Sequence, residues 1–368
     1  ALSLTFDDAR LSQADKGIPL LNRYGVKATF YISPNNLMKR IEAWEKAVES
    51  GHEIGNHSLV HPCSGNFVWS RDNALEDYTL QEMRSELDSA NEFIENTLGV
   101  RPVSFAYPCG QTFVGRGKNT KSYIPLVSAL FETGRDWLNE GPNDPVYCDM
   151  AKLTAMELDG KSFEEIKKLI ESAGSKGQWL ILAGHEMDDK GEQTSLLSTI
   201  KDICEYAGDT SNGIWIAPVH QVASYVKEER GEPHFSEMPV YKNPVYSTKK
   251  RVNDLLSKMT LEEKLGQMNM PCVYISGLGD DKKAKMEACR RLTMGKFMDS
   301  LGPIGGFFTL ANTVLHEGTR QQAEYFNRLQ KLAVEKTRLG IPLLQTEEGT
   351  HGLMCSGGTI FPEGERNC

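Results

Sequence analysis

The stretch ALSLTFDD, residues 1–8, alternates apolar and polar side chains and then ends in two adjacent carboxylates. Three apolar residues at every second position predict a β-strand, because successive side chains of a strand point to opposite faces. The strand would end at Asp7 and Asp8, and parallel sheets build their sites at the carboxyl ends of strands. We therefore expect a functional site at this end of the first strand.

The chain up to about residue 230 alternates short β-rich runs with helical patterns, which predicts an α/β fold with βα units around a mainly parallel sheet or barrel. One helical stretch, 80–99, closes on a C-cap-like glycine, and another opens with the capping-box pair Ser162 and Glu165. Strands are predicted at Leu2–Phe6, Ala28–Ile32, His52–Gly55, Val103–Tyr107, Leu126–Phe131, Trp179–Ala183 and Ile214–Ala217.

Composition narrows the classes of partner. The 41 basic and 50 acidic side chains give a formal charge of −9, and no Lys/Arg run interleaves with aromatics, so we expect no nucleic acid partner. No run approaches the roughly 18 apolar residues of a membrane span, and no membrane association is expected. The 8 cysteines include no C-x-x-C pair, so they indicate no zinc ribbon or thioredoxin-type site, and most are interpreted as small buried residues. Nothing in the composition indicates an oligomeric state.

A proline-rich stretch divides the chain. Residues 228–247 contain three prolines and no apolar period, which predicts a linker at 233–247 between domains 1–232 and 248–368. The second region again has βα character, with a capping-box pair at Thr260 and Glu263. It reads as helical over 251–268, as strands over 302–310 and 341–345, and as a long helix over 316–340.

The stretch GHEIGNHSLVHPC places His57 and His61 four residues apart, so on a helical turn both imidazoles would point the same way. Two histidines and one carboxylate, which Asp7 or Asp8 could supply, suffice to hold a catalytic zinc ion with one coordination position open. The alternative is an incidental histidine pair, with the two aspartates acting as a helix cap and a surface charge.

Four short segments, TFDD, HSLVHP, FAYPCG and LAGH, occur in this order, each at or just after a predicted strand. Residues 1 to about 228 thereby resemble a polysaccharide deacetylase domain (NodB homology, carbohydrate esterase family 4). The resemblance implies a distorted (β/α) barrel and a secreted or periplasmic hydrolase of acetylated polysaccharide or oligosaccharide, although the given chain shows no signal peptide. It also implies a divalent metal, Zn²⁺ foremost with Co²⁺ or Ni²⁺ as alternatives.

The resemblance assigns roles to individual residues. Asp8, His57 and His61 match the metal ligands, and Asp7 matches the general base. His185 matches the general acid, and the backbone N–H of Cys109 matches the donor to the oxyanion. Leu182 matches the apolar wall of the acetyl pocket, and Tyr107 and Trp137 are further candidates for substrate binding.

The sequence departs from the family pattern at Ala106, where many members carry an arginine that orients the base. We expect Arg135, in the segment ETGRDWLN, to supply the missing cation to Asp7, with Trp137 lining the acyl pocket. An arginine on a solvated loop is the alternative. Cys63, two residues past His61, is a weaker candidate for an additional soft metal ligand.

The region after the linker resembles the start of a family 3 glycoside hydrolase, on the stretches 243–268, 338–352 and 357–364. That resemblance implies an incomplete (β/α) barrel and assigns a sugar contact to Glu348. The family's nucleophilic aspartate lies further downstream, so we expect 248–368 to be a truncated piece without glycosidase activity. The sequence of this region resembles β-glucosidases and β-xylosidases more closely than N-acetylglucosaminidases. This resemblance favours an O-acetylated plant polysaccharide, such as acetylxylan, as the substrate of the first region.

Two alternatives remain from the sequence. The same machinery could act on N-acetylglucosamine polymers such as chitin or peptidoglycan, and the sequence does not distinguish ester from amide cleavage. A catalytically silent carbohydrate-binding domain is the third reading, supported by the missing motif arginine and opposed by the retention of Asp7 and His185.

Overall fold

The computed structural model describes residues 1–232, 238–243, 246–273, 281–310 and 319–346. The chain divides into two compact units, Ala1–Arg251 and Val252–Cys368. The division lies a few residues beyond the predicted linker, parts of which, 233–237 and 244–245, are outside the described residues. Within the described residues, no helix combines the length and the apolar character that crossing a bilayer requires.

The first unit is built on a seven-stranded parallel sheet with the order β7-β4-β3-β2-β1-β9-β8. The segment before β8 curls this sheet, because Leu153 pairs with β7 while β8 itself pairs with β9. The strands are β1 (Leu2–Asp7), β2 (Thr29–Ile32), β3 (Glu53–Asn56), β4 (Ser104–Ala106), β5 (Phe113–Val114), β6 (Lys121–Ser122), β7 (Thr133–Arg135), β8 (Met156–Glu157), β9 (Leu180–Gly184), β10 (Glu186–Asp188) and β11 (Thr194–Leu196).

Helices separate these strands and confirm the predicted α/β class. They are α1 (Ile18–Arg23), α2 (Pro34–Leu37), α3 (Ile41–Glu49), α4 (Leu80–Leu98), α5 (Ile124–Leu130), α6 (Phe163–Ser175), α7 (Leu197–Gly208) and α8 (Val219–Arg230). Gly99 adopts φ 72° after α4, and the predicted capping box of Ser162 and Glu165 opens α6, so both predicted helix ends are confirmed.

The core follows from the alternation along β1. Leu2, Leu4 and Phe6 lie in one apolar cluster with residues of the flanking helices, such as Ile18 and Trp44. Burying these large side chains removes apolar surface from water, which is the main favourable contribution to folding. The other face of β1 carries Ser3, Thr5 and Asp7, and of these Asp7 reaches the candidate site.

Two predicted strands are wrong. Leu126–Phe131 belongs to helix α5, whose first turn contains Pro125 and whose buried residues Val127 and Leu130 are three apart, a helical spacing. Ile214–Ala217 forms an isolated bridge between Leu2 and Ile216 rather than a regular strand. A short apolar run does not distinguish these outcomes by its pattern alone.

The second unit has its own apolar cluster, which includes Phe307 and Leu329. The predicted capping box of Thr260 and Glu263 is confirmed. Its helices are α9 (Thr248–Lys258), which spans the boundary, α10 (Leu261–Gln267), α11 (Lys282–Thr293) and α12 (Thr319–Lys336), and its parallel strand pair is β12 (Gly306–Phe308) and β13 (Leu344–Thr346). The predicted sugar-contacting residue, Glu348, lies outside the described residues.

Candidate active site

The two aspartates at the end of β1 have different backbone conformations. Asp7 completes the strand and is buried, whereas Asp8 and Ala9 adopt left-handed backbone conformations with φ 73° and 51°. Such values are uncommon for residues with a Cβ atom and turn the chain sharply. The Nδ2 of Asn36 donates a hydrogen bond to the Asp8 carbonyl oxygen at 2.9 Å, which holds this turn in place. The two carboxylates consequently occupy different surroundings.

Asp8, His57 and His61 come together at one point. The Asp8 Oδ1 atom lies 3.6 Å from His57 Nε2 and 3.7 Å from His61 Nε2. The expectation of a helical turn between the histidines is wrong, since the segment after β3 is a loop in which Ser58 and His61 have φ 62° and 54°. Left-handed residues bring the two rings to 4.7 Å between centroids without a helix.

Hydrogen bonds position this loop. The His57 Nδ1 lies 2.9 Å from the Ala106 carbonyl oxygen, which can only accept, so Nδ1 carries the proton and Nε2 presents a lone pair toward Asp8. The Glu86 carboxylate accepts from the backbone N–H groups of Leu59 and Val60, at 2.9 and 2.7 Å. A helix side chain thus fixes the course of the segment between the histidines.

The electrostatics suit these groups as metal ligands. Burial raises the pKa of Asp8, but interactions with the nearby imidazoles and with the Arg10 guanidinium outweigh burial and leave that pKa below its usual value. Arg10 donates two hydrogen bonds to Asp8 Oδ2, at 3.1 and 2.9 Å. Burial and the neighbouring His57 lower the pKa of His61 to about 4, so its imidazole is neutral at neutral pH. An ionised carboxylate and neutral imidazoles are the forms that bind metals.

The donor set fits a divalent cation of the zinc type. Ligand atoms that share one zinc ion lie about 2 Å from it, so they must lie within about 4 Å of one another, and the two Asp8 distances meet this condition. The ligand atoms of Asp8, His57 and His61 all lie within 4.8 Å of each other. Two imidazole nitrogens and one carboxylate oxygen also match catalytic zinc sites.

Asp7 is in contact with the predicted cation. The Arg135 Nη2 donates to Asp7 Oδ1, and both side chains are almost completely buried. Arg135 ends β7 and pairs in register with Ala106 of β4, so it emerges beside the position where the family pattern has its arginine. The Arg135 guanidinium carbon also lies over the Tyr31 ring, 4.9 Å from its centroid, in a cation–π contact. The alternative of a solvated Arg135 is wrong.

His185, at the end of β9, is paired with Asp159. The His185 Nδ1 lies 2.7 Å from Asp159 Oδ2, and Asp159 Oδ1 accepts from the Ser195 hydroxyl at 2.7 Å. Burial lowers the pKa of His185, but the hydrogen bond to Asp159 and the negative charges of Asp159, Asp7 and Asp8 outweigh burial, so the pKa is raised. The imidazole therefore holds a proton more tightly than an isolated histidine.

Gln13 connects the two strand ends. Its Nε2 donates to the carbonyl oxygens of Asp7 and His185, at 2.6 and 2.7 Å, and its side chain is fully buried in a π-helical turn, Gln13–Gly17. The backbone of Asp7, at the end of β1, and that of His185, just after β9, are therefore held at a fixed separation.

Cys109 and Cys63 form a disulfide with a Cα–Cα distance of 6.3 Å. The suggestion that Cys63 is a soft metal ligand is wrong, because its sulfur is bonded to Cys109 and not available as a thiolate. Sequence reasoning did not predict this disulfide. Cys109 adopts φ 53° in the turn Pro108–Gly110, next to the carbonyl that contacts His57.

The three candidate substrate residues have different surroundings. Trp137 is half-buried, and its ring lies 4.8 Å from that of His185. Tyr107 is buried among aromatic side chains and donates its hydroxyl to the Ala151 carbonyl at 2.7 Å, so its assignment to substrate binding is corrected. Leu182 is corrected too: it pairs with Leu4 and lies in the apolar cluster on the sheet face opposite Asp7.

Four residues at the site were missed by sequence reasoning: Asp159, Arg10, Gln13 and Glu86. Asp159 follows β8 by two residues, so the rule that drew attention to Asp7 and Asp8 would have found it had that two-residue strand been predicted. Arg10 lies two residues past Asp8. Gln13 and Glu86 bind backbone atoms of distant segments, and a single sequence does not show such contacts.

Comparison with known proteins supports a polysaccharide deacetylase domain in the first part of the chain. Residues 1–122, about a third of the chain, match the family model described as polysaccharide deacetylase. The match includes Asp7, Asp8, His57 and His61, whereas His185 lies beyond it.

Among curated relatives, the Bacillus subtilis protein YlxY is 36% identical over 96 residues, which are 26% of this chain and 27% of that protein. Beta-glucosidase C of Emericella nidulans is 35% identical over 127 residues, 34% and 19% of the respective chains. The peptidoglycan-N-acetylglucosamine deacetylase PgdA of Listeria monocytogenes is 25% identical over 137 residues, 37% and 26% of the chains. The chain thus spans about a quarter or less of the length of these relatives.

Among solved structures, the Xyl-CE4 domain of a multidomain xylanase from the hindgut metagenome of Trinervitermes trinervoides matches with a TM-score of 0.41 and 19% identity. The match covers 62% of this chain and 90% of that chain.

Proposed function

We propose that the first unit is a metal-dependent carbohydrate deacetylase that removes O-acetyl groups from a plant polysaccharide such as acetylxylan. One observation carries this proposal: two proton-transfer candidates with partners of opposite charge flank the Asp8, His57 and His61 cluster. Asp7 has the Arg135 guanidinium and His185 has the Asp159 carboxylate. A carbohydrate-binding module has no use for a base and an acid beside three metal-binding side chains.

Asp8, His57 and His61 would hold the divalent cation. Such a cation lowers the pKa of a bound water from about 16 toward about 7 and polarises a carbonyl oxygen. The buried, hydrogen-bonded loop around His57 keeps its lone pair aimed at this point, since Nδ1 is committed to the Ala106 carbonyl.

Asp7 is the general base. It accepts a proton from the water that attacks the acetyl carbonyl carbon, and for this it must be ionised and must not be a ligand itself. The Arg135 guanidinium donates a charge-assisted hydrogen bond to Asp7 Oδ1 and thereby orients the carboxylate. Because Arg135 stacks on Tyr31, the cation cannot turn away from Asp7 without losing that contact.

His185 is the general acid. It donates a proton to the sugar oxygen as the bond from that oxygen to the acetyl carbon breaks. Asp159 keeps the imidazole in the tautomer that presents Nε2 to the site and favours the protonated form, which is the form an acid needs. Trp137, which contacts the His185 ring, would line the acetyl pocket.

The backbone N–H of Cys109 would donate a hydrogen bond to the oxyanion that develops during attack. Preorganised amide donors of this kind act without reorganisation at the moment of reaction. The disulfide to Cys63 and the left-handed conformation of Cys109 support a fixed position for this amide.

The choice of substrate rests on the sequence beside the first unit. The resemblance of 248–368 to the start of family 3 glycoside hydrolases agrees with the 127-residue similarity to beta-glucosidase C. Joining a deacetylase to a glycosidase is useful where acetyl groups block access to the same sugar chain. The second candidate is N-deacetylation of N-acetylglucosamine polymers, which the similarity to PgdA favours.

The test measures acetate released by the full chain from acetylxylan and from N-acetyl chito-oligosaccharides, with and without a chelator and added Zn²⁺. Release from acetylxylan that the chelator abolishes and zinc restores is the expected result. Release from the chito-oligosaccharides alone would transfer the assignment to the N-deacetylase. No release from either substrate, with sugar binding retained, would leave a binding domain without catalysis.

A further inference from the structure

A row of aromatic rings extends from the candidate metal centre to the surface. The Trp69 ring lies 5.7 Å from the His61 ring and 5.4 Å from the Phe67 ring, with an angle of 29° between the last two. Trp69 is 61% exposed, Phe67 is 41% exposed, and Val68 between them is 73% exposed. Three adjacent apolar residues on the surface beside a candidate active site require an explanation, because large apolar side chains are normally buried.

The segment that carries these rings is firmly held. The Ser70 hydroxyl accepts from the Cys63 backbone N–H at 2.8 Å and donates to the Cys63 carbonyl at 2.9 Å. The Ser64 N–H donates to Gln111 Oε1 at 2.6 Å, and the disulfide ties Cys63 to Cys109. Phe67 and Trp69 are therefore exposed on a segment whose backbone is held by hydrogen bonds and a disulfide.

From this arrangement we propose that Phe67 and Trp69 form a sugar-binding subsite for the residue next to the one that is deacetylated. This inference rests on the proposed function. Aromatic faces carry negative charge density and are apolar, and one face of a pyranose ring presents C–H groups, so the two surfaces stack. Rigid aromatic side chains supply such contact area at a low cost in conformational entropy.

The spacing sets which sugar occupies the subsite. The Trp69 ring is the immediate neighbour of the His61 ring, with 5.7 Å between the centroids. A sugar stacked on Trp69 would therefore lie beside the metal ligands and leave room at them for the acetyl group of the adjoining sugar. The occupant is a second sugar residue of the same chain, and the enzyme accordingly prefers oligosaccharides and polysaccharides over small acetyl esters.

The test compares Trp69→Ala and Phe67→Ala with the wild-type full chain. The substrates are acetylated xylohexaose, which reaches the subsite, and ethyl acetate, which offers the ester without a ring that could stack on Trp69. For Trp69→Ala we expect the ratio of kcat/KM for the hexaose to kcat/KM for the small ester to fall about tenfold, because one apolar ring face loses its contact. The loss should lie mainly in KM for the hexaose. Trp69→Phe should recover part of it.

The matched control is Tyr225→Ala. Tyr225 is 51% exposed and pairs with Trp215 at 5.5 Å, and the Trp215 backbone is bonded to Leu2 at the opposite end of β1 from Asp7. This variant removes an aromatic side chain of comparable exposure that lies away from the site, and it should keep the wild-type ratio. An unchanged ratio in Trp69→Ala would overturn the subsite.

A binding measurement separates this inference from the proposed function. Calorimetric titration with xylohexaose and with chitohexaose needs no turnover. Binding to the wild-type chain that Trp69→Ala weakens about tenfold supports the subsite even if no acetate is released. Equal binding by the wild-type and Trp69→Ala chains, or no binding by either, would refute the subsite. Absence of acetate release by the wild-type chain would refute only the deacetylase assignment.

Discussion

The strands on the two sides of β1 bring side chains of opposite charge to the candidate site. On one side, β2, β3, β4 and β7 bring the histidine loop and Arg135 to Asp7. On the other side, β9 and β8 bring His185 and Asp159. The Asp7 carboxylate has a cationic partner and the His185 imidazole an anionic one. The charge of its partner, more than the group itself, is what distinguishes the proposed base from the proposed acid.

Removing the groups themselves should have the largest effect. Asp7→Asn and His185→Ala should each lower kcat for acetate release by about a thousandfold, within the usual range for a general base or acid. His185→Ala should also lose the basic limb of the pH–rate profile, because the raised pKa of His185 is the one assigned to that limb.

Wild-type-like turnover in either variant would remove that residue from catalysis. Circular dichroism and metal content, measured on the same samples, exclude unfolding and loss of the cation as the cause of a slow variant.

The cation on the Asp7 side should matter next. Arg135→Ala should lower kcat by about a hundredfold, because Asp7 loses the group that orients it. Since Ala106 and Arg135 pair in register on neighbouring strands, the double variant Ala106→Arg/Arg135→Ala should recover part of the rate. Arg116→Ala, which removes a guanidinium from an exposed pair with Asp77, is the control and should change kcat less than twofold. Full activity without Arg135 would show that Asp7 needs no cation.

The anion on the His185 side can be tested through pH. Asp159→Asn removes the negative charge that raises the pKa of His185, so that pKa falls and the basic limb of kcat should move to lower pH. The rate at neutral pH should fall about tenfold to a hundredfold, the usual cost of losing a partner of this kind. Asp202→Asn, at a half-buried position on α7 where the carboxylate pairs with Lys201, serves as the control. A basic limb that stays in place would mean that another group sets it.

The Cys63–Cys109 disulfide lies on the β3 and β4 side of β1. The disulfide joins the segments after β3 and β4 across 46 residues, and closing a loop of that size contributes about 4 kcal/mol in the chain-entropy model. Cys63→Ser/Cys109→Ser should therefore lower the midpoint of unfolding of the first unit and reduce activity only several-fold. Cys148→Ser, a half-buried free thiol, should change neither. An unchanged midpoint in the double variant would show that hydrogen bonds such as those of Ser70 suffice.

The sequence predicted much of this site because its strongest features are local. The alternation of β1 and the carboxylates at its end follow from eight residues, and α/β class follows from the βα rhythm. Features that depend on register were missed. Leu182 pairs with Leu4 and so lies on the sheet face opposite Asp7. The residues of α5 are predicted as a strand because a short apolar run is compatible with both a helix and a strand. The Cys63–Cys109 pairing could not be deduced from eight cysteines without the fold.

The bridge made by Gln13 bears on how the molecule folds. It joins residues 7 and 185, and β1 itself lies between β2, which follows closely in the chain, and β9, which is synthesised more than a hundred residues later. Pairings this distant in sequence slow folding, since loop closure must precede the contact. During synthesis one edge of β1 stays unpaired until β9 emerges, and an open apolar strand is prone to aggregation. Asp7 and His185 thus come together only in a late step of folding, and the yield on expression should depend on how well the exposed edge of β1 is protected until then.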